Sequence, residues 1–166
     1  QVVRVSSLAA PVAGRAWAVE RMASDPPLPD NLGFVCVEGV TTDWAVGPLF
    51  TLEGVNVNAT NANGKGAVTG NGQRVAVIGS LAAGTLNAKS VARSLPGQPV
   101  VFVLSAALTD YLSIADFRVR GVTIDASGAG FVGGAAAELA DGRRIRVTGS
   151  VSGRRLIATK VEFLSG

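Results

Sequence analysis

Residues 72–91 read GQRVAVIGSLAAGTLNAKSV, and residues 142–161 read GRRIRVTGSVSGRRLIATKV. The two stretches match at a constant offset of 70 residues, with glycine, serine, alanine and valine recurring at equivalent positions. Short Val-rich runs broken by turn residues are typical of β-strands joined by tight turns. We therefore predict that one β-module occurs twice in this chain.

The duplication extends upstream of these stretches. Residues 34–60 match residues 101–127 at an offset of 67, so that Phe50 aligns with Phe117. The change of offset places three extra residues in the second unit. Insertions usually fall in surface connections, because the backbone there needs no buried partner. Each unit is about 65 residues long, which favours two small domains over a continuous solenoid.

Each unit contains five predicted strands. Two-residue turns, Glu53-Gly54 and Arg120-Gly121, join strands two and three, because glycine accepts the positive φ that such a turn needs. The alternation of apolar and polar residues in strand three predicts one buried face and one wet face. The predicted strands of unit one are 34–44, 49–52, 55–59, 74–81 and 85–92, and the last two of unit two are 144–151 and 155–163.

A connection separates strands three and four. In unit two the Ala-rich stretch Gly133–Gly142 favours a short helix that ends at its last glycine. In unit one Thr60–Gly66 is rich in asparagine and glycine, so we expect an irregular loop. Strand, strand, strand, connection, strand, strand is the order of the OB-fold, a five-stranded Greek-key barrel. Gly39 suits the bend of its first strand, and the counterpart Ala106 is also small. An open meander or sandwich is the alternative.

The ends of the units define the predicted domains. Residues 1–23 resemble the last two strands of a unit and predict a β-hairpin from a third, upstream repeat; an amphipathic helix over Ala16–Ala23 is the alternative. Residues 24–32 hold three prolines and predict a stiff linker. Barrel 1 then covers 33–96 and barrel 2 covers 97–166. The chain opens on glutamine rather than methionine, so we expect something upstream to have been removed.

The recurring string combines an X-Gly hairpin, an Ile/Val-Asx strand, Gly-X-Arg-apolar-X-Val-X-Gly and Leu-X-Ala-X-X-Val. It resembles the bacterial domain of unknown function 5666, and residues 150–162 carry the closest likeness. That resemblance implies small OB-like barrels repeated in secreted or lipid-anchored proteins of the cell envelope. It implies no catalytic residues.

The composition excludes most catalytic chemistry. The chain has no histidine, which removes the commonest general base and the commonest transition-metal ligand. The single cysteine, Cys36, lies in an apolar run and is interpreted as a buried, inert thiol. Gly128–Gly133 has the glycine spacing of a dinucleotide-binding motif, but no long helix is predicted after it, so we predict a loop. Asp43 and Asp110 are interpreted as turn residues. We predict no enzyme, no cofactor and no metal site.

Basic and aromatic residues are the remaining candidates for binding. The net charge of +3 is too small to indicate a nucleic-acid or membrane partner by itself, and no apolar run is long enough to span a membrane. The arginines of unit two could form one anion-binding patch, and Trp44 with Tyr111 could form an exposed aromatic rim. Ordinary solvated strand faces are the alternative. The candidate arginines are Arg118, Arg120, Arg144, Arg146, Arg154 and Arg155.

These observations predict a non-catalytic tandem-barrel protein of the bacterial envelope, periplasmic, outer-membrane-anchored or secreted. We expect it to act as a spacer or as a module that binds a protein or another envelope component. The alternative is binding of a polyanion or single-stranded nucleic acid through the basic face of barrel 2.

Overall fold

The structure is a computed structural model that describes residues 31–166. The predicted upstream hairpin, residues 1–23, and most of the predicted linker therefore lie outside the described residues. The described part is built from β-strands, and its two 3-10 turns are three residues long each.

The first unit is a closed five-stranded barrel. Its neighbouring strands follow the order β1-β2-β3-β5-β4 and return to β1, which is the order of an OB-fold. The first strand begins two residues earlier than the predicted barrel boundary, because Asn31 and Leu32 already pair with β4. The strands are β1 (Asn31–Ala45), β2 (Leu49–Leu52), β3 (Val55–Asn58), β4 (Arg74–Ala82) and β5 (Thr85–Arg93).

The second unit repeats this barrel and adds one strand. Its five main strands close in the order β10-β6-β7-β8-β11, while the short β9 pairs in parallel with the far end of β11. The prediction of two tandem OB-like barrels is confirmed, and the loop prediction for 128–133 is wrong where β9 forms. The strands are β6 (Phe102–Ser113), β7 (Asp116–Val119), β8 (Val122–Asp125), β9 (Gly130–Val132), β10 (Arg144–Ser152) and β11 (Arg155–Phe163).

The connections between strands three and four differ from their predictions. A single 3-10 turn, Ala136–Glu138, stands where the Ala-rich stretch predicted a helix. Unit one has an equivalent 3-10 turn, Lys65–Ala67, inside and just beyond the predicted irregular loop. One turn is too short for intrinsic alanine propensity to matter, because helix nucleation costs more than the first hydrogen bond returns.

The hairpin turns follow their predictions. Glu53 and Gly54 have φ of 48° and 79°, and Arg120 and Gly121 have φ of 54° and 78°. Two consecutive positive φ values are the backbone of a type I′ turn, whose twist matches that of the strands it joins.

Substitution of either turn glycine by valine should destabilise its barrel. We expect Gly54→Val and Gly121→Val each to lower the free energy of unfolding by roughly 1–2 kcal/mol, because the Cβ atom resists positive φ. Space is not the cause, since a Cβ at either position would meet no atom within 4 Å. Urea unfolding measures the effect, and unchanged midpoints in both variants would contradict this conformational cause.

A second pair of glycines lies at a β-bulge. The pairing register of β4 with β5 shifts between Ile78 and Gly79, and that of β10 with β11 shifts between Thr148 and Gly149. A Cβ on either glycine would lie 2.2 Å from a carbonyl oxygen of the partner strand. Only glycine lets the two backbones approach this closely.

Two buried clusters fill the molecule. Phe50 and Leu52 belong to the cluster inside barrel 1, and Phe117 is fully buried inside barrel 2. The two phenylalanines, which align in the repeats, are therefore equivalent core residues of the two barrels. The cluster of barrel 2 also includes Ala76, Ile78 and Ala92 from barrel 1.

Candidate functional site

The duplicated aspartates hold a sharp bend in each long strand. Asp43 and Asp110 both have φ of 51°, in the left-handed region that aspartate tolerates better than most residues. The bend exposes the next backbone N–H, and the side-chain oxygens of Asn71 and Asp141 accept it at 2.8 Å. The structure thus places both aspartates in the same turn geometry in the two repeats, as expected from their position.

The residues after these bends do not form an exposed rim. Trp44 and Tyr111 are both half-buried and pack against the core clusters of their own barrels. The Tyr111 ring lies 6.2 Å from the ring of Phe117, and the buried Trp44 Nε1 atom has no hydrogen-bond partner among residues 31–166. The expectation of an exposed aromatic platform is corrected, because the bend turns each ring back over the mouth of its barrel.

The first four candidate arginines divide between two places. Arg118 lies on β7 with its Nε atom 3.8 Å from Asp110, and the Arg120 guanidinium donates a hydrogen bond to the carbonyl oxygen of Asn61 in barrel 1. Arg144 and Arg146 lie on the outer face of β10, which pairs with neither β7 nor β8. Strand β6 separates the two pairs.

The last two candidates occupy a third place. Arg154 lies in the turn after β10, at the opposite end of that strand from Arg144. Arg155 begins β11 and donates to the carbonyl oxygen of Ala115 at 3.3 Å. The six candidates thus lie on β7, β10 and β11 and in the turns beside them. Arg118 pairs with Thr123 of β8, and β8 pairs with β11 next to Arg155, so these two arginines share an outer face. Action of all six as one anion-binding patch stays a prediction.

Polyanion binding should consequently be weak. Four of the six arginines already have partners: Arg118 and Arg146 form ion pairs, and Arg120 and Arg155 donate to backbone carbonyl oxygens. We therefore expect single-stranded oligonucleotide to engage at most two arginines at once, so the slope of log affinity against log salt should be no steeper than about −1.4. Fluorescence anisotropy at several salt concentrations measures this slope. A slope of about −4, which six phosphate contacts would give, would show that the six arginines act together. In that case Arg144→Ala combined with Arg146→Ala should reduce the slope.

Cys36 lies at the junction of the barrels. Its side chain packs against the cluster that contains the core of barrel 2. Burial raises the pKa of the thiol to about 11, and the nearby carboxylate of Glu38 adds to this effect. A thiol protonated at neutral pH is a poor nucleophile.

The thiol should therefore react slowly in the folded protein. At pH 8 we expect Cys36 to react with Ellman's reagent about a hundredfold more slowly than an unperturbed thiol, because the thiolate fraction falls with the raised pKa. The same protein in guanidinium chloride supplies the control rate. Equal rates in the folded and unfolded protein would contradict the buried position.

One outer face of barrel 1 is apolar. Successive residues of a strand point to opposite faces, so Ala76 and Ile78 point away from the barrel core that holds Val75 and Val77. They are nevertheless buried, with 1% and 0% of their surface exposed. Barrel 2 covers this face, because both residues belong to the same cluster as its own core.

The equivalent face of barrel 2 is polar. At the offset of 70, Arg146 stands in place of Ala76 and Thr148 in place of Ile78. Glu162 replaces Ala92 and accepts ion pairs from Lys160 at 3.1 Å and from Arg146 at 4.0 Å. The second unit thus presents charge where the first unit presents an apolar contact surface.

Barrel 1 also supplies hydrogen-bond partners for backbone groups on the open edge of β6. Between residues 102 and 107 this strand pairs with β10 on one side only, since β7 joins it from Leu108 onward. On the other side the Ser90 hydroxyl donates to the carbonyl oxygen of Val103 at 2.8 Å, and the Asn63 side-chain oxygen accepts the N–H of Ser105 at 2.9 Å. These bonds fix the angle between the barrels as well as their contact.

An open groove of about 500 Å³ runs along this junction. Three exposed apolar side chains line it, and Arg93 is the one charged residue in the walls that the described part of the chain forms. No side-chain partner of Arg93 is found within residues 31–166. The walls are Gly64, Gly66, Ala67, Val91, Ala92, Arg93, Leu95, Gln98, Pro99, Val101 and Val103.

Other kinds of site are not found in the described residues. Residues 31–166 contain no group of three or more metal-ligating side chains close enough to hold an ion. No helix in this range is long and apolar enough to cross a membrane. The chain matches no protein-family model, no curated protein and no solved structure.

Proposed function

We propose that this chain is a non-catalytic module of the bacterial cell envelope that holds two OB-like barrels as one rigid body and binds a partner at their junction. The observation that carries the proposal is the buried cluster that runs from the outer face of barrel 1 into the core of barrel 2. Two domains joined only by a linker would move independently, whereas a large apolar interface holds them together.

The side-chain chemistry supports a binding or spacing role over catalysis. The chain has no histidine, and the pKa of its single thiol is raised to about 11. Five ion pairs among residues 31–166 join side chains that are all at least partly exposed, as expected of solvated strand faces. The envelope location rests on the resemblance of the repeats to domain of unknown function 5666.

Rigidity can be measured by electron paramagnetic resonance. Spin labels attached through Asn56→Cys in barrel 1 and Ala137→Cys in barrel 2, in a Cys36→Ala background, report the distance between two exposed sites. We expect one narrow distance distribution. A broad distribution, similar to that of the same doubly labelled protein in urea, would contradict a rigid module.

The cellular location has its own test. Antibody raised against this chain should detect the natural protein in the periplasmic or membrane fraction of the bacterium that encodes it. Detection in the cytosolic fraction alone would contradict an envelope role, without affecting the rigidity measured above.

A further inference from the structure

We infer that the groove between the barrels binds an extended, aliphatic segment of a partner protein that carries an acidic side chain, with Arg93 as the anchor for its carboxylate. This inference rests on the proposed binding function and specifies its site and the chemistry of the partner.

The aliphatic character of the bound segment is inferred from the position of three exposed aliphatic residues. Leu95, Val101 and Val103 have 57%, 50% and 37% of their surface exposed, and all three line the same groove. Single exposed apolar residues are ordinary on protein surfaces, but a contiguous group in a concave place indicates an interaction site.

The acidic side chain of the bound segment is inferred from the positive charge of Arg93. Arg93 is exposed at the end of β5, and the groove walls formed by residues 31–166 hold no aspartate or glutamate. Its guanidinium has no ion pair or hydrogen bond within residues 31–166, unlike that of Arg74, which binds Glu38 at 3.1 Å. An arginine beside apolar walls favours a carboxylate flanked by aliphatic groups, because a bidentate pair gains strength where water is partly excluded.

The open shape favours a protein segment over a small ligand. Pockets for small molecules bury most of the ligand surface, whereas this groove is open to solvent along its length. The outer side of a bound segment can be shielded from solvent by the rest of the protein to which it belongs.

A phage-displayed library of random 12-residue peptides, selected on the full chain, tests the inference. We expect enrichment of peptides with one or two acidic residues between aliphatic residues. Fluorescence anisotropy with a synthetic copy of the most enriched peptide then measures affinity. Arg93→Glu and Val103→Asp should each weaken binding about tenfold or more, because each places a negative charge against the ligand.

Arg154→Glu is the matched control, since Arg154 is an exposed arginine outside the groove, and it should leave the affinity unchanged. Circular dichroism of each variant verifies that it folds.

Enriched peptides whose affinity is unaffected by both groove variants would overturn this site while leaving a binding module intact. Dodecanoate that binds in the groove when no peptide does would overturn the partner class. Failure to select any peptide, with a narrow spin-label distance, would overturn the groove inference but not the rigid module.

Discussion

Replacing Gly149 with alanine is expected to lower the free energy of unfolding by about 3 kcal/mol, at the upper end of what overpacking costs. The added Cβ would lie 2.2 Å from the carbonyl oxygen of Ile157 and 2.9 Å from the Cα of Ala158. Both obstacles are backbone atoms of a strand that pairs with β10 along its whole length. Relief therefore requires the bulge itself to open. Chemical unfolding followed by circular dichroism measures the loss.

The duplication supplies a replicate and a control. Gly79→Ala should behave like Gly149→Ala, because its Cβ would lie 2.2 Å from the carbonyl oxygen of Asn87. Gly39→Ala should cost less than about 1 kcal/mol, since the obstacle there is the flexible side chain of Glu53 and the equivalent position already holds Ala106. If Gly39→Ala proved as harmful as the other two, the close approach of strands would not be the cause.

Replacing Ile78 with aspartate is expected to cost about 4 kcal/mol or more and to separate the barrels. Ile78 is fully buried between them, and a carboxylate there would have no cationic partner, which is among the most destabilising single changes. The barrels should part rather than bury the charge. Calorimetry should therefore show one cooperative transition in the natural sequence and two transitions in Ile78→Asp.

Thr148→Asp is the matched control at the equivalent position of barrel 2. Thr148 is half-exposed and pairs across the strand with Lys160, so the new carboxylate should change the stability by no more than about 0.5 kcal/mol. The spin-label distance should broaden in Ile78→Asp and stay narrow in Thr148→Asp. A single transition that persists in Ile78→Asp would mean that the shared cluster does not couple the two barrels.

Most of the fold could be predicted because its signals are local. The strand limits agree within three residues, and β2 and β11 agree at both ends. The turn at Glu53-Gly54 needs positive φ, and a glycine in the sequence indicates where the backbone can adopt it. Strand order followed from the number and spacing of strands, since few topologies close a barrel of five.

The candidate site could be predicted only in part. Trp44 and Tyr111 look like surface residues because they follow polar neighbours. Each lies where the pairing of the first two strands of its barrel shifts register, so strand alternation does not predict which way the ring points. The arginine patch stays a prediction, because sequence proximity does not say which strands become neighbours around a closed barrel. Strand β9 was missed because its three residues pair with β11, some 30 positions away.

The groove and the interface were also missed, although a signal existed. Comparison of Ala76 and Ile78 with Arg146 and Thr148 would have revealed that one copy of a duplicated strand face had become apolar. Such asymmetry between repeats indicates a buried contact in one of them. It does not indicate which surface covers that face.

The amino-acid sequence by itself determined that a five-stranded β-module occurs twice, where its strands and hairpins lie, and that histidine-dependent chemistry is absent from the chain. Only the tertiary structure decided that the barrels share a buried cluster, that Trp44 and Tyr111 pack against the barrel cores and that a groove opens beside Arg93. The physical reason is that turns and alternation depend on neighbours in the chain, whereas burial and charge clustering depend on contacts between residues far apart in it.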